Sequence, residues 1–241
     1  MASTEQPKPA STHTKSRNAA VSTPMDDGDF ERATRGFIAS YPGGRINDPS
    51  GRMVTDTNRY DFIRQSPEAP DTVNPSLWRH ARLNANHGLF EVADGVWQVR
   101  GYDISNITFI KGTEGWVVID PLTTEATARA SYELITSHLG HRPVTGVIYT
   151  HSHAVHFGGV LGVTTQAEVD AGRCRVIAPV GFLHETVGEN VIAGPAMNRR
   201  STYQFGPLLP AGPTGHVDCG LGNSVPLGPP GLIAPTEDIT F

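Results

Sequence analysis

Three histidines lie within six residues near the middle of the chain, at His151, His153 and His156. They directly follow a β-branched and aromatic run at residues 147–150 that is typical of a buried strand, and two glycines come soon after them. Neutral imidazoles are good zinc ligands, and a strand end holds a tight loop rigidly enough to aim several rings at one point. The spacing therefore favours a metal-binding loop over three ordinary polar loop residues. In this hypothesis His151 and His153 bind one ion and His156 reaches a neighbouring one.

The composition limits the classes of partner. With 241 residues and 38% hydrophobic content, the chain is long enough for one domain or two small ones. A net charge of −5, without clusters of Lys or Arg beyond pairs, argues against a nucleic-acid partner. The two cysteines, Cys174 and Cys219, are far apart and outside any CxxC spacing, so we expect packing residues and no disulfide.

The sequence contains no apolar run of about 18 residues, so we expect no membrane span. Residues 1–24 are polar and lack the apolar segment of a signal peptide, which makes the cytoplasm the default expectation. Because this stretch is rich in Ser, Thr, Ala, Pro and Lys, it is predicted to be a disordered tail.

Residues 25–86 are predicted to form an N-terminal helix, over 26–41, followed by an extended arm. Four prolines interrupt the pattern after residue 45, which favours an arm that lies across a neighbouring surface. Arms of this kind often help to form a homodimer, and we keep a homodimer as a prediction.

Regular patterning begins at residue 87 and predicts an α/β domain over 87–241. Asp94 and Gly95 separate two alternating runs, which predicts a β-hairpin. Two more strands, a helix that Gly140 ends, and a strand leading into the histidines imply layering of helices on a partly parallel sheet. The predicted strands are at 89–93, 96–100, 107–110, 115–120, 144–149 and 175–178. The predicted helices are at 123–139 and 181–191, and a further helix is expected to begin at residue 158. A loop is predicted at 207–235, before a last short run at 239–241.

Several stretches together resemble one family. They are residues 98–110, 115–122 and 150–160, with 189–200 and 220–222 extending the similarity nearly to the C-terminus. They resemble the metallo-β-lactamase superfamily and, within it, the alkylsulfatase branch of zinc-dependent enzymes that hydrolyse alkyl sulfate esters such as dodecyl sulfate. The lactamase and thioesterase branches fit residues 102–110 and 193–200 poorly.

The resemblance implies a sandwich of two similar halves, each with a sheet and helices, and one or two bound zinc ions. This chain would then contain the first half of that αβ/βα sandwich, apparently truncated. The small-molecule partner implied is an alkyl sulfate.

The sequence departs from the family pattern at Val155. The family carries H-x-H-x-D-H at such a strand end, and its Asp would ligate the second metal ion, whereas an isopropyl group offers no lone pair. Further acidic and histidine ligands of the family would fall beyond Phe241. We therefore expect at most one strongly held zinc ion. Two hypotheses follow: an alkylsulfatase with impaired activity, or a catalytically inactive truncated paralogue that acts, if at all, as a binding or regulatory partner.

The resemblance also suggests roles for residues around the loop. Asp120 ends an apolar strand and would accept hydrogen bonds that orient residues 151–156, the histidine loop. An ordinary Asp at the end of a strand explains the sequence equally well. Guanidinium and amide groups suit the oxygens of a sulfate, but paired arginines are also common on solvated helix faces. The predicted substrate contacts are Asn198, Arg199, Arg200, Asn106 and Tyr102, the last two being alternatively turn and packing residues. Glu189 and Asn190 are candidates for hydrogen bonds near the loop without an assigned place, and no catalytic residue is assigned.

Overall fold

The structure is a computed structural model that describes residues 8–21 and 28–240. Its helices are α1 (Thr12–Ala19), α2 (Gly28–Thr34), α3 (Asp61–Gln65), α4 (Pro75–Asn84), α5 (Glu125–Leu139), α6 (Gln166–Asp170), α7 (Phe182–Val187) and α8 (Gly194–Phe205). Its strands are β1 (Phe37–Ala39), β2 (Arg45–Asn47), β3 (Met53–Asp56), β4 (Gly88–Ala93), β5 (Val96–Arg100), β6 (Ile107–Lys111), β7 (Trp116–Ile119), β8 (Val144–Ile148), β9 (Arg175–Pro179) and β10 (Glu237–Ile239). None of the helices within these ranges is long and apolar enough to cross a membrane.

A mixed sheet of eight strands organises the described residues, in the order β1-β4-β5-β6-β7-β8-β9-β10. The pairs from β1 to β7 are antiparallel, and β7, β8, β9 and β10 run parallel to one another. The predicted hairpin is confirmed, with Gly95 at φ +74° in the turn between β4 and β5. The predicted α/β layering with a partly parallel sheet is likewise confirmed.

Helix α5 connects β7 to the parallel strand β8 and packs on the sheet. The Thr124 side chain caps its first turn by accepting from the Thr127 amide, and Gly140 ends it at φ +83°. Ala128, Leu134 and Ile135 of α5 are buried against the sheet residues of the main hydrophobic core. Because α5 joins two adjacent parallel strands, it places the end of β8, where the histidines begin, beside the end of β7.

Residues 28–86, the described part of the helix and arm predicted at 25–86, contain several short regular elements. β1 joins the main sheet beside β4, and β2 pairs with β3 in a small separate sheet. Pro75 occupies the first turn of α4 after the cap Asn74, a position that needs no backbone N–H, so this proline begins a helix. A second hydrophobic cluster forms here from Tyr60, Ile63, Val73, Trp78, Ala81, Ala85 and Val217. The helix predicted over 26–41 ends at Thr34, and residues 26 and 27 lie outside the described residues.

The predicted disordered tail also needs correction, because its described part contains α1. Ser11 caps this helix by accepting from the Thr14 amide, and Lys15 lies 2.7 Å from a carboxylate oxygen of Asp71. No residue of α1 is buried. Residues 1–7 and 22–24 of the predicted tail lie outside the described residues.

After the histidines the elements differ from the predicted pattern. The helix expected from residue 158 is replaced by two short 3₁₀ turns, Ala154–His156 and Val160–Gly162. The helix predicted at 181–191 is α7 followed by a π-helical turn, Gly188–Ile192. Regularity does not fade after residue 193, since α8 follows at once.

The stretch 207–235 has no regular helix or strand, as predicted, but it is not simply a surface loop: it contributes the buried residues Val217 and Ile233. The last run is a strand at Glu237–Ile239, beside β9, and Phe241 lies outside the described residues. Cys174 and Cys219 are free thiols, as predicted.

Candidate metal centre

Asp120 anchors the start of the histidine loop. It follows β7, and because β7 and β8 are parallel neighbours, the residues after each strand meet at the same edge of the sheet. Its Oδ1 accepts from the Thr150 amide at 2.9 Å, and its Oδ2 accepts from Thr150 Oγ1 at 2.8 Å. Asp120 sits at φ +53°, a conformation that Asp tolerates better than most residues.

The same carboxylate holds the ring of His156. His156 Nδ1 lies 2.9 Å from Asp120 Oδ2, and the two side chains are 24% and 12% exposed. A carboxylate accepts only when Nδ1 carries the proton, so the contact leaves the lone pair on Nε2. Asp120 thus accepts the hydrogen bonds expected of it, while its role toward a metal stays a prediction.

His151 and His153 face each other through unlike nitrogens. His151 Nε2 and His153 Nδ1 are 3.1 Å apart, and His151 Nδ1 lies 2.9 Å from Thr150 Oγ1. Two nitrogens bound to one tetrahedral zinc ion at ~2.0–2.1 Å would be separated by roughly 3.3 Å. The observed pair is therefore close to the spacing that a shared zinc ion requires.

The third imidazole lies beside this pair. The ring centroids of His151 and His156 are 4.1 Å apart, and those of His151 and His153 are 4.7 Å apart. Burial lowers the pKa of His151, and the neighbouring imidazoles of His156 and His153 lower it further against the opposing charge of Asp120, which favours the neutral imidazole that a metal requires.

The donor set is nevertheless incomplete. Within residues 8–21 and 28–240, no three His, Cys, Asp or Glu side chains form a ready group of metal ligands. At the position between the histidines where a carboxylate would add one, Val155 offers only its carbonyl, which accepts from Ser105 Oγ at 2.5 Å. The imidazole nitrogens are suitable zinc ligands, but the described residues supply only part of the ligand shell that a zinc ion needs.

The predicted substrate contacts lie in different environments. The prediction for Tyr102 is corrected, because Tyr102 is 1% exposed and its hydroxyl accepts from the Tyr41 amide at 2.5 Å. Tyr102 is therefore a core residue and does not line a cleft. Asn106 is exposed beside a cavity of about 200 Å³ that Arg100 and Leu221 also line.

The polar cluster on α8 is exposed at all three positions, Asn198, Arg199 and Arg200. The Asn198 backbone carbonyl accepts from Thr202 Oγ1 at 2.9 Å, and Arg200 Nη1 donates to Met197 Sδ at 3.8 Å, both within the helix. The three side chains therefore face solvent, and their contact with a substrate stays a prediction.

Sequence reasoning missed Asp103. Its buried carboxylate accepts from the backbone and hydroxyl of Thr123, the Ile104 amide and the Thr127 hydroxyl. Burial raises the pKa of Asp103 to about 6, although these hydrogen bonds act to lower it. Asp103 thereby ties the turn before α5 to the segment that ends in Ser105. Its neighbours include Arg100, Ser105 and Asn106, which give no local signal of its burial.

Glu189 and Asn190, to which the sequence alone assigned no place, lie beside the histidine loop. Asn190 Nδ2 donates to the Ser152 carbonyl at 3.4 Å, and Glu189 Oε1 lies 3.3 Å from His153 Nε2. Both belong to the π-helical turn, whose position beside the loop could not be read from local sequence.

The sheet, the crossover helix and the histidine loop define the class of protein. A family profile of the metallo-beta-lactamase superfamily matches residues 100–238, and the chain belongs to this superfamily. Its similarity is to alkylsulfatases in particular. The chain is 46% identical over 238 residues to a linear primary-alkylsulfatase of Pseudomonas sp, which covers 98% of this chain and 35% of that relative. It is 51% identical over 212 residues to the alkyl/aryl-sulfatase BDS1 of Saccharomyces cerevisiae, covering 88% of this chain and 32% of that one.

The solved structures agree. The stereoselective inverting sec-alkylsulfatase Pisa1 from Pseudomonas sp. superimposes with a TM-score of 0.93 at 44% identity, over 98% of this chain and 38% of that chain. The predicted superfamily, fold and similarity to alkylsulfatases are thus confirmed. The chain spans about a third of the length of the curated relatives, 35% and 32% of the two named above.

Proposed function

We propose that this chain carries the histidine loop of a zinc-dependent hydrolase of alkyl sulfate esters, which releases an alcohol and sulfate, and that its activity is impaired. The observation that carries the proposal is the nitrogen pair His151 Nε2 and His153 Nδ1, 3.1 Å apart. The pair stands on a scaffold that closely matches a sec-alkylsulfatase. Superfamily membership supports a metal, and the two imidazole nitrogens support zinc as that metal.

The residues of the chain have separate tasks in this proposal. His151 and His153 hold the ion, while Asp120 keeps the His156 ring fixed with Nε2 available. When bound, zinc supplies a nucleophile at neutral pH by lowering the pKa of water toward ~7. Arg199 and Arg200 present guanidinium groups that can neutralise the sulfate oxygens. Because sulfate is already a good leaving group, positioning and charge stabilisation carry most of the catalysis.

Val155 favours a second candidate function. Without a carboxylate between His153 and His156, the loop lacks a donor for a second ion. A chain with one weakly completed site would be a catalytically inactive paralogue that acts as a binding or regulatory partner. The two candidates differ in turnover and in the number of zinc ions.

Zinc content and sulfate release from dodecyl sulfate distinguish them. The purified chain is expected to hold at most one zinc ion and to show little or no turnover. Val155→Asp should raise the zinc content. Val155→Asn should not, because Asn has the size of Asp but no charge. Two tightly bound zinc ions with brisk sulfate release in the unmodified chain would contradict impairment. A chain that binds no zinc would overturn the metal assignment.

A further inference from the structure

The π-helical turn Gly188–Ile192 packs directly against the histidine loop. The Ala193 amide donates to the Gly188 carbonyl at 3.0 Å, the bond that defines this wider turn. Asn190 Nδ2 donates to Thr186 at the end of α7 and to Ser152 in the loop, at 3.0 and 3.4 Å. π-helical turns are rare and occur frequently at functional sites. Here the turn brings two consecutive polar side chains to the loop.

Glu189 faces the outer edge of the His153 ring. Its Oε1 lies 3.3 Å from His153 Nε2, while the other ring nitrogen, Nδ1, faces His151 Nε2. The His153 side chain is 59% exposed and the Glu189 side chain 22%. A ring this exposed has little packing to fix its rotation, so a polar partner at Nε2 is the available restraint.

We infer that Glu189 is a positioning residue for His153. When His153 Nδ1 gives its lone pair to a zinc ion shared with His151, Nε2 carries the proton, and the Glu189 carboxylate lies where it can accept a hydrogen bond from that Nε2–H. Glu189 acts through His153 and is not itself a zinc ligand. The inference rests on the metal-binding part of the proposed function, and it names a residue on which the pairing of His151 and His153 depends.

Zinc affinity of three variants tests the inference. Glu189→Ala should weaken zinc binding by about 10–100-fold, as is usual when the partner of a metal-binding histidine is removed. Glu189→Gln keeps an amide oxygen that can accept a hydrogen bond from the same Nε2–H, so its loss of zinc affinity should be smaller than that of Glu189→Ala. Glu185→Ala, an exposed carboxylate on α7, is the matched control and should bind zinc like the unmodified chain. Competition against a chromophoric chelator gives the affinities, with circular dichroism to confirm folding.

A second measurement follows the ring directly. In ¹H–¹⁵N NMR of the zinc-loaded chain, the His153 Nε2 proton should exchange slowly with solvent, and Glu189→Ala should make this exchange faster. Unchanged affinity and unchanged proton exchange in Glu189→Ala would overturn the inference. A loss in Glu189→Gln as large as in Glu189→Ala would also overturn it, because that result identifies Glu189 as a ligand. If the unmodified chain binds no zinc, the proposed function and the inference fail together, whereas zinc binding without an effect of Glu189→Ala overturns the inference alone.

Discussion

Asp120 is the residue on which the geometry of the loop depends most directly. It fixes Thr150 by two hydrogen bonds and His156 by a third, and it does so from a left-handed backbone conformation. Each oxygen of the carboxylate is an acceptor, so neither can be replaced by a donor without opposing an existing N–H or O–H.

Asp120→Asn tests the hydrogen bonds of Asp120 without adding backbone strain, because Asn also tolerates positive φ. Its NH₂ group faces a donor on Thr150 or His156, so the ring is no longer held with Nε2 free. We expect about 10–100-fold weaker zinc binding and a loss of ~1–3 kcal/mol in the free energy of unfolding of the zinc-free chain. Chelator competition and urea unfolding measure the two. Asp170→Asn, at an exposed carboxylate, is the control, and equal zinc affinity in both variants would refute the role of Asp120.

The buried Asp103 and the half-buried His87 give the stability opposite dependences on pH. Burial raises the pKa of Asp103 to about 6, so between pH 4 and 6 the folded state keeps a proton that the unfolded chain has released. The contribution of Asp103 to stability therefore falls as the pH rises through this window. Burial, reinforced by the charge of Arg64, lowers the pKa of His87 to about 4, and its contribution rises with pH from about 4 to 6.5.

Asp103→Asn should remove only the first of these contributions. The variant is expected to be less stable than the unmodified chain, because four donors lose a full carboxylate partner. Its stability should also rise more steeply between pH 4 and 6, by up to about 3 kcal/mol, since one pKa unit corresponds to ~1.4 kcal/mol. Urea unfolding at pH 4, 5, 6 and 7 gives both profiles. Parallel profiles would show that Asp103 has an ordinary pKa.

At the level of elements, glycines allow the 3₁₀ turns after the histidines to approach α5. A Cβ on Gly159 would lie 2.0 Å from the Pro121 carbonyl oxygen and 2.8 Å from the Ala128 Cβ. Gly159 also donates its amide to the Leu122 carbonyl at 2.9 Å. This contact joins the segment after the histidines to the segment after Asp120, so the two sides of the loop are held at a fixed distance.

Gly159→Ala should therefore be strongly destabilising. The neighbours are mostly backbone atoms that cannot rotate away, and overpacking of this kind costs ~1–3 kcal/mol or more. We expect a loss of at least ~3 kcal/mol in the free energy of unfolding, together with weaker zinc binding. Gly194→Ala is the matched control, because a Cβ there meets nothing within 4 Å and its stability should change by less than ~1 kcal/mol. Equal stability of the two variants would contradict the close approach.

The elements that local sequence predicts are those with a clear period or a capping residue. The β4–β5 hairpin follows from alternation around Asp94 and Gly95, and α5 follows from its helical period and from Gly140 at its end. β1 has only three residues, and its partner β4 lies about fifty positions further along the chain, so no local pattern identifies it. Tertiary contacts decide such short strands, whereas the cap Asn74 and the following Pro75 are a local signal for the start of α4.

The same distinction applies to the candidate metal centre. The histidines and Asp120 could be predicted because their spacing and their place at strand ends are local features. Burial of Tyr102 and the approach of Glu189 to His153 depend on how distant segments pack, and neither has a local signal. The sequence therefore indicates the chemistry of the site better than the residues that support it.

At the level of the whole molecule, the stretch 207–235 connects the two hydrophobic clusters. His216 Nδ1 lies 2.9 Å from the Tyr60 hydroxyl, and Val217 enters the second cluster. Further along, the Leu227 amide donates to the Val54 carbonyl at 2.9 Å, and the Tyr149 hydroxyl donates to the Ile233 carbonyl at 3.1 Å. Because Tyr149 comes directly before the histidine loop, the segment links the N-terminal elements to the candidate metal centre.

Zinc binding should consequently stabilise the whole chain and not the loop alone. A ligand that binds only the folded state adds about 2.7 kcal/mol at a free concentration 100 times Kd. For a chain of this size that gain corresponds to a rise in Tm of roughly 5–10 °C. Thermal unfolding with zinc, and again with excess chelator, should show this rise and its reversal. The variant with both His151→Ala and His153→Ala should show no rise. A zinc-dependent increase that persists in this variant would place the ion elsewhere, and no increase in the unmodified chain would mean that the nitrogen pair does not hold zinc.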